Sequence, residues 1–157
     1  MQRISRGFTL IELVIAVAIV GLLASVAVPL SQLAVQRTKE QDLRRGLRDI
    51  REAIDAYKRA HDEGRVARTA NQSGYPPDLR VLTAGAPDAK NPGKTLVFLR
   101  RVPRDPFFDN PKAAAENTWG LRAYDSPPDN PREGRDVFDV YSLSRKSGLS
   151  GVAYREW

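Results

Sequence analysis

The sequence predicts an α+β protein: one long N-terminal helix, apolar in its first half, with a small antiparallel β-sheet and loops packed on its C-terminal half. Three observations lead there. Residues 8–28 are apolar with a single charge, Glu12; apolar residues recur from Leu43 to His61 at alternating steps of four and three; and ten of the eleven prolines fall after residue 75. The first gives a helix long enough to cross a bilayer, the second one buried face on a further helix, and the third a region of short elements joined by loops.

The apolar segment comes first. Its 21 residues rise about 31 Å as a helix, the thickness of a hydrocarbon core. A carboxylate inside such a segment costs a few kcal/mol, so it calls for a partner or a task. Glu12 stands four residues after Phe8, on the same helix face. Three readings compete for residues 1–28. A secretory signal peptide would use Ser25-Val26-Ala27 as its cleavage site, but the apolar run is longer than usual and contains Glu12. A plain signal anchor explains the length and gives Glu12 no role. A short leader, Met1 to Gly7 with Arg3 and Arg6, cut after Gly7, is the third. Charge does not fix the orientation, because Arg37, Lys39, Arg44 and Arg45 follow the segment and outnumber the cations before it.

Pro29 lacks an N–H and is expected to bend or loosen the helix rather than end it. Beyond it, Leu43, Leu47, Ile50, Ile54, Tyr57 and His61 form one apolar stripe, with arginines and acids elsewhere around the helix. The helix should therefore run from about Phe8 to about Asp62 and stop near Gly64, roughly 80 Å in all. His61, last on the stripe, reads as a partly buried helix-end residue. Glu40, Asp42, Asp49, Glu52 and Asp55 interleave with the arginines, which describes a mixed-charge solvated face rather than a nucleic-acid surface.

In the remainder, Asn71 to Asp78 is turn-rich, and Leu79, Val81 and Leu82 suggest a short helix or packed turn. Gly85 to Gly93 is a loop by composition. Thr95 to Leu99 is an apolar run that periodicity leaves undecided between strand and helix. Val102 to Phe107 is an extended, proline-fixed connection. Trp119 to Tyr124 and Asp136 to Leu143 read as strands, with Ser126 to Gly134 a loop between them. Tyr154 and Trp157 should dock the chain's last turn.

Composition closes several routes to catalysis. With no cysteine and one histidine, thiol chemistry, thiolate metal sites and multi-histidine sites within one subunit are excluded. No Gly-x-Ser-x-Gly elbow or Gly-rich phosphate loop occurs. Asp136 and Asp139, read as sharing a strand face, are the one carboxylate pair considered for acid–base work, and a solvent-facing strand edge explains them as well. The net charge of +6 permits an acidic partner and proves none.

Gly7-Phe8-Thr9-Leu10-Ile11-Glu12-Leu13 behind a short basic leader resembles the N-terminal signature of type IV pilins and type II secretion pseudopilins. Tyr75-Pro76, Val102-Pro103-Arg104-Asp105-Pro106 and Phe138-Asp139-Val140-Tyr141-Ser142 are similar to landmarks of the major (G-type) pseudopilin. The resemblance implies the type IV pilin-like fold, not an enzyme, divided into a leader (1–7), a membrane and filament-core helix (8–29), its continuation (30–63) and a loop-rich β domain (64–157). It implies cleavage after Gly7 by a prepilin peptidase, methylation of the new N-terminus at Phe8, and an assembly role for Glu12 toward a neighbour's Phe8 ammonium. It places the subunit in the bacterial inner membrane, N-terminus cytoplasmic and C-terminal domain periplasmic. The homopolymer forms a filament with other pseudopilins, a platform protein and a secretion ATPase. A type IV pilus subunit for adhesion, motility or DNA uptake is the alternative. The family often binds calcium in a C-terminal loop. Here Ser144 to Gly151 has two cations and no carboxylate, which leaves Asp136 and Asp139 as weak candidates and makes absence the expectation.

Overall fold

A computed structural model describes residues 8–67 and 72–157. The leader and Gly7, and Asn71 at the start of the turn-rich stretch, lie outside these residues. The first element is a single helix, α1, from Leu10 to Asp62. It continues through Pro29, and Ser31 Oγ donates to the Val28 carbonyl at 2.7 Å beside it. Its end is set at Gly64, whose φ of 70° is the left-handed conformation that glycine adopts at no steric cost. There the Gly64 N–H donates to the His61 carbonyl (2.9 Å) and the Arg65 N–H to the Ala60 carbonyl (2.8 Å), the paired bonds of a Schellman C-cap.

Two compact units divide between Thr38 and Lys39. The first, as described, is helix alone. Leu10, Val17, Leu22 and Leu23 are each at least 65% exposed, and the apolar side chains lie on every side of the helix. The segment is long and apolar enough to cross a membrane, with a mean hydropathy of 2.8.

The second unit, from Lys39 onward, folds around the rest of α1. Leu43, Leu47, Ile50, Ile54 and Tyr57 are buried, as the stripe predicts, together with Ala53 and Ala60 between them. They meet Val66, Leu79, Leu82, Trp119, Val137, Val140 and Tyr154 in one core. A short helix, α2 (Arg80–Ala84), delivers Leu82.

Among the described residues the β structure is two separate ribbons rather than the one sheet expected. Strands β1 (Ala86–Pro87) and β2 (Thr95–Leu96) pair antiparallel, Ala86 opposite Leu96. Strands β3 (Trp119–Arg122) and β4 (Asp139–Ser142) pair antiparallel, from Trp119 opposite Ser142 to Arg122 opposite Asp139. The first ribbon corrects the reading of Gly85 to Gly93 as loop throughout. Two residues of strand leave no alternation to detect, and a side chain makes the turn that pairs them. Asp88 accepts from the Lys90 N–H (3.0 Å), Asn91 Nδ2 (2.9 Å) and Arg65 Nη2 (2.8 Å), while its own N–H donates to the Lys94 carbonyl (2.9 Å). The undecided run from Thr95 thus starts as strand and loses regular structure after Leu96. Tyr154 is buried, as expected of the docking aromatic, and its ring stacks on Phe107 with centroids 4.1 Å apart. His61 is largely buried, with Nδ1 3.6 Å from Asp62.

Candidate functional site

The described chain starts at Phe8, 85% exposed, and α1 begins two residues later. Helix N-termini leave backbone N–H groups without intrahelical partners. Here Thr9 and Glu12 supply them reciprocally. The Thr9 N–H donates to Glu12 Oε2 (2.8 Å), the Thr9 hydroxyl donates to the same oxygen (2.7 Å), and the Glu12 N–H reaches Thr9 Oγ1 at 3.3 Å. This is a capping box, and it gives the one carboxylate of the apolar half a partner in its own chain. The signal is present in the sequence as Thr-x-x-Glu. Oε2 is occupied, while Oε1 has no bond among the described residues. The acidic side chain also stands where the helix dipole favours it.

In the second unit the sequence missed Glu40. Counted there among acids on a solvated face, it is only 7% exposed. Its Oε1 accepts from the Leu149 N–H (2.8 Å) and from the Tyr154 hydroxyl (2.9 Å), tying α1 to the segment after β4. Gly148 makes room for this contact, since a Cβ there would meet Trp157 at 2.6 Å and Tyr154 at 3.2 Å.

Asp136 and Asp139 are not a pair. Asp136 precedes β4, and residues three apart alternate faces on a strand, so a shared face was a misreading. Asp136 accepts from the Tyr124 N–H (2.8 Å) and from the Ser73 hydroxyl. Asp139 accepts from Arg51 Nε (2.8 Å) and lies 3.7 Å from Arg122. With guanidiniums beside one and hydrogen-bond donors on both oxygens of the other, these carboxylates do not fit the oxygen-rich, cation-free shell that calcium takes. Among the described residues no three His, Asp or Glu side chains gather as a metal cluster.

Two further buried aspartates differ in charge environment. The hydrogen bond from Arg65, followed by that from Asn91, holds the Asp88 carboxyl well below the ordinary carboxylate range. Burial pushes Asp105 up instead, against hydrogen bonds from Ser142 Oγ (2.5 Å) and the Phe107 N–H (2.7 Å), and no cation is among its described partners.

A lone carboxylate capping an exposed apolar helix is what a prepilin N-terminus would present. Residues 2–28 match the prokaryotic N-terminal methylation motif. The chain is 27% identical to type II secretion system core protein G of Klebsiella pneumoniae, over 93% of its own length and all of that protein. The likeness is to the type IV pilin-like prepilins. Core protein G of Pseudomonas aeruginosa is 29% identical over 90% of this chain and 84% of its own. The type IV major pilin protein PilA of Myxococcus xanthus is 36% identical over 47% of this chain and 33% of that pilin. No solved structure shows significant similarity. These relatives bear the names of secretion and pilus proteins and not of enzymes, and the pilin-like α+β build, long helix with small antiparallel ribbons and loops, agrees with them. One apolar N-terminal helix together with the prepilin motif fits a membrane-anchored protein.

Proposed function

We propose that this protein is a pseudopilin subunit of a type II secretion system. A prepilin peptidase would cut it after Gly7 and methylate Phe8, and the mature subunit would polymerise into a periplasmic filament from the inner membrane. Glu12 carries the reading: it is the one charge on an apolar helix half whose side chains stand exposed. Cleavage makes Phe8 an ammonium. In low dielectric that ammonium and the free Oε1 of a neighbour's Glu12 attract strongly, which neutralises both and fixes the register of adjacent subunits. Thr9 holds the carboxylate in place from within the subunit while the second oxygen is left for the neighbour.

On this reading the subunit's partners are copies of itself, other pseudopilins, the platform protein and the secretion ATPase; it performs no catalysis, needs no calcium and binds no nucleic acid. The likeness to the Myxococcus pilin over 47% of this chain favours one second reading, a major or minor subunit of a type IV pilus.

The test expresses Glu12→Leu with the complete machine and measures sheared or cross-linked polymer beside membrane-bound monomer. The variant should insert at least as well as the wild type, because the costly group is gone. It should still be cut at Gly7, giving a mature mass that begins at methylated Phe8. Polymer should be lost, since the neighbour's ammonium would enter the apolar bundle unpaired. Normal polymer from Glu12→Leu would leave helix packing alone as the source of register and strip Glu12 of this role.

A further inference from the structure

Within the C-terminal unit lies a half-open pocket of about 430 Å³, lined among others by Ser73, Tyr75, Tyr124, Asp125, Arg135 and Asp136. Its walls are fixed from beneath. Asp136 accepts from both the Ser73 hydroxyl and the Tyr124 N–H, so one carboxylate locks two chain segments together. The Val137 N–H donates to the Pro76 carbonyl at 2.8 Å. The Tyr75 and Tyr124 rings stack, centroids 5.5 Å apart and 24° from parallel, and Phe138 meets both edge-on at 4.9 and 5.6 Å. For all this order, Tyr124 is 60% exposed. Asp125 and Arg135 are exposed on the same pocket, and neither makes a hydrogen bond or ion pair among the described residues.

We propose that this pocket binds a neutral saccharide, a pyranose ring lying on Tyr124 with its hydroxyls reaching Asp125 and Arg135. A sugar ring has one face of C–H groups and a rim of hydroxyls, and it therefore needs an aromatic surface beside planar polar groups. The ring held open to water by Tyr75 and Phe138 is the first, and a carboxylate and a guanidinium, each able to engage two neighbouring hydroxyls, are the second. Asp125 and Asp136 against Arg135 give the lining one more acid than base, which turns anions away, and Asp136 has both oxygens engaged, leaving Asp125 and Arg135 as the groups open to a ligand. The volume lies in the range of small-ligand sites, roughly 300–1,000 Å³. A proline-rich segment would dock in a slot between aromatic ridges, and here the two tyrosines close on each other instead. This inference does not depend on the filament reading; the pocket belongs to the subunit whether or not it polymerises.

The test uses the full mature chain in phosphatidylcholine nanodiscs, because glycoside detergents would compete. Neutral trisaccharides of glucose, galactose and N-acetylglucosamine are the probes, followed by saturation-transfer NMR and titration. At least one should bind with transfer concentrated on the C–H protons of one ring face. Tyr124→Ala and Asp125→Ala should each weaken it about tenfold, the second with an unchanged thermal melt, whereas the exposed Val97→Ala should not alter it. Lack of binding by every sugar, or binding that survives Tyr124→Ala, would overturn the proposal. So would binding of a polyproline peptide in place of the sugars.

Discussion

Upstream of Thr38, α1 exposes Leu10, Ile15, Val20 and Leu23; from Lys39 onward the same helix buries Leu43, Leu47, Ile50 and Ile54. The backbone is helical throughout, so the contrast lies in where the apolar side chains stand. In the downstream half they form a stripe with polar groups opposite, and the stripe finds its counterpart in residues 66–154 of the same chain. In the upstream half they surround the helix, and nothing within that unit covers them. Such a helix takes its surroundings from a membrane or from other helices. The two halves also use an acid differently. Glu40 is engaged by donors far along the chain, whereas Glu12 is held within its own first turn and keeps one oxygen in reserve.

Breaking the comparison begins with the cores. A chain starting at Arg37 should fold without the upstream half. In it, Ile50→Ala should cost about 2–5 kcal/mol in urea unfolding, while Ile15→Ala in the full-length protein should leave the melt of the C-terminal unit unchanged. A large effect of Ile15→Ala would show that the unit leans on the upstream helix. Next comes Glu40→Ala, which removes the acceptor of the Leu149 N–H and of the Tyr154 hydroxyl and should cost roughly 1–3 kcal/mol. Hydrogen exchange at Leu149 should accelerate with it, and an unmoved Leu149 amide would mean the contact holds nothing.

The two unlike aspartates sharpen the picture through pH. Asp88 has a depressed pKa when folded, so the stability it contributes is present above the unfolded carboxyl's ordinary value and drains away as pH falls through the folded one. Asp88→Asn should flatten the acid limb of the stability curve. Asp105 has a raised pKa, so its contribution is full at low pH and is lost as pH rises through the folded value. Asp105→Asn removes the charge, keeps the Phe107 N–H bond on its amide oxygen and retains the Ser142 contact with the direction reversed, its amide N–H donating to Oγ; it should match or exceed the wild type at neutral pH and converge on it in acid. A variant that is weaker at every pH would mean the charge is stabilised by groups other than these. The smallest effect expected is that of calcium. Added to the C-terminal unit, it should move the melting temperature little, and a rise of many degrees that a chelator abolishes would overturn the poor fit of Asp136 and Asp139.

The stripe and the helix end were legible because both rest on local rules: a period of 3.6 and a glycine at a left-handed turn. What escaped reading needed a partner distant in sequence or a rule applied one residue over. Glu40 sits three residues before Leu43, and so continues the stripe's own steps of three and four, but a charged side chain in that register reads as a break unless its donors, more than a hundred residues away, are known. The first ribbon escaped because it owes its pairing to Asp88 rather than to strand propensity. Thr9 could have been found from its spacing to Glu12 alone. The separation of Asp136 from Asp139 was available too, from strand alternation.

The contact between Glu40 and residues 149 and 154 spans 109 and 114 positions of chain. Loop closure over such a distance is entropically unfavourable and is among the slower events in folding. The first buried side chain of the unit therefore waits for nearly the last, and a chain emerging in order holds an unclosed core until residue 154 has arrived. If the chain crosses a membrane threaded from its N-terminal side, completion of the fold is timed to the end of passage, which keeps the polypeptide loose for as long as it must remain threadable.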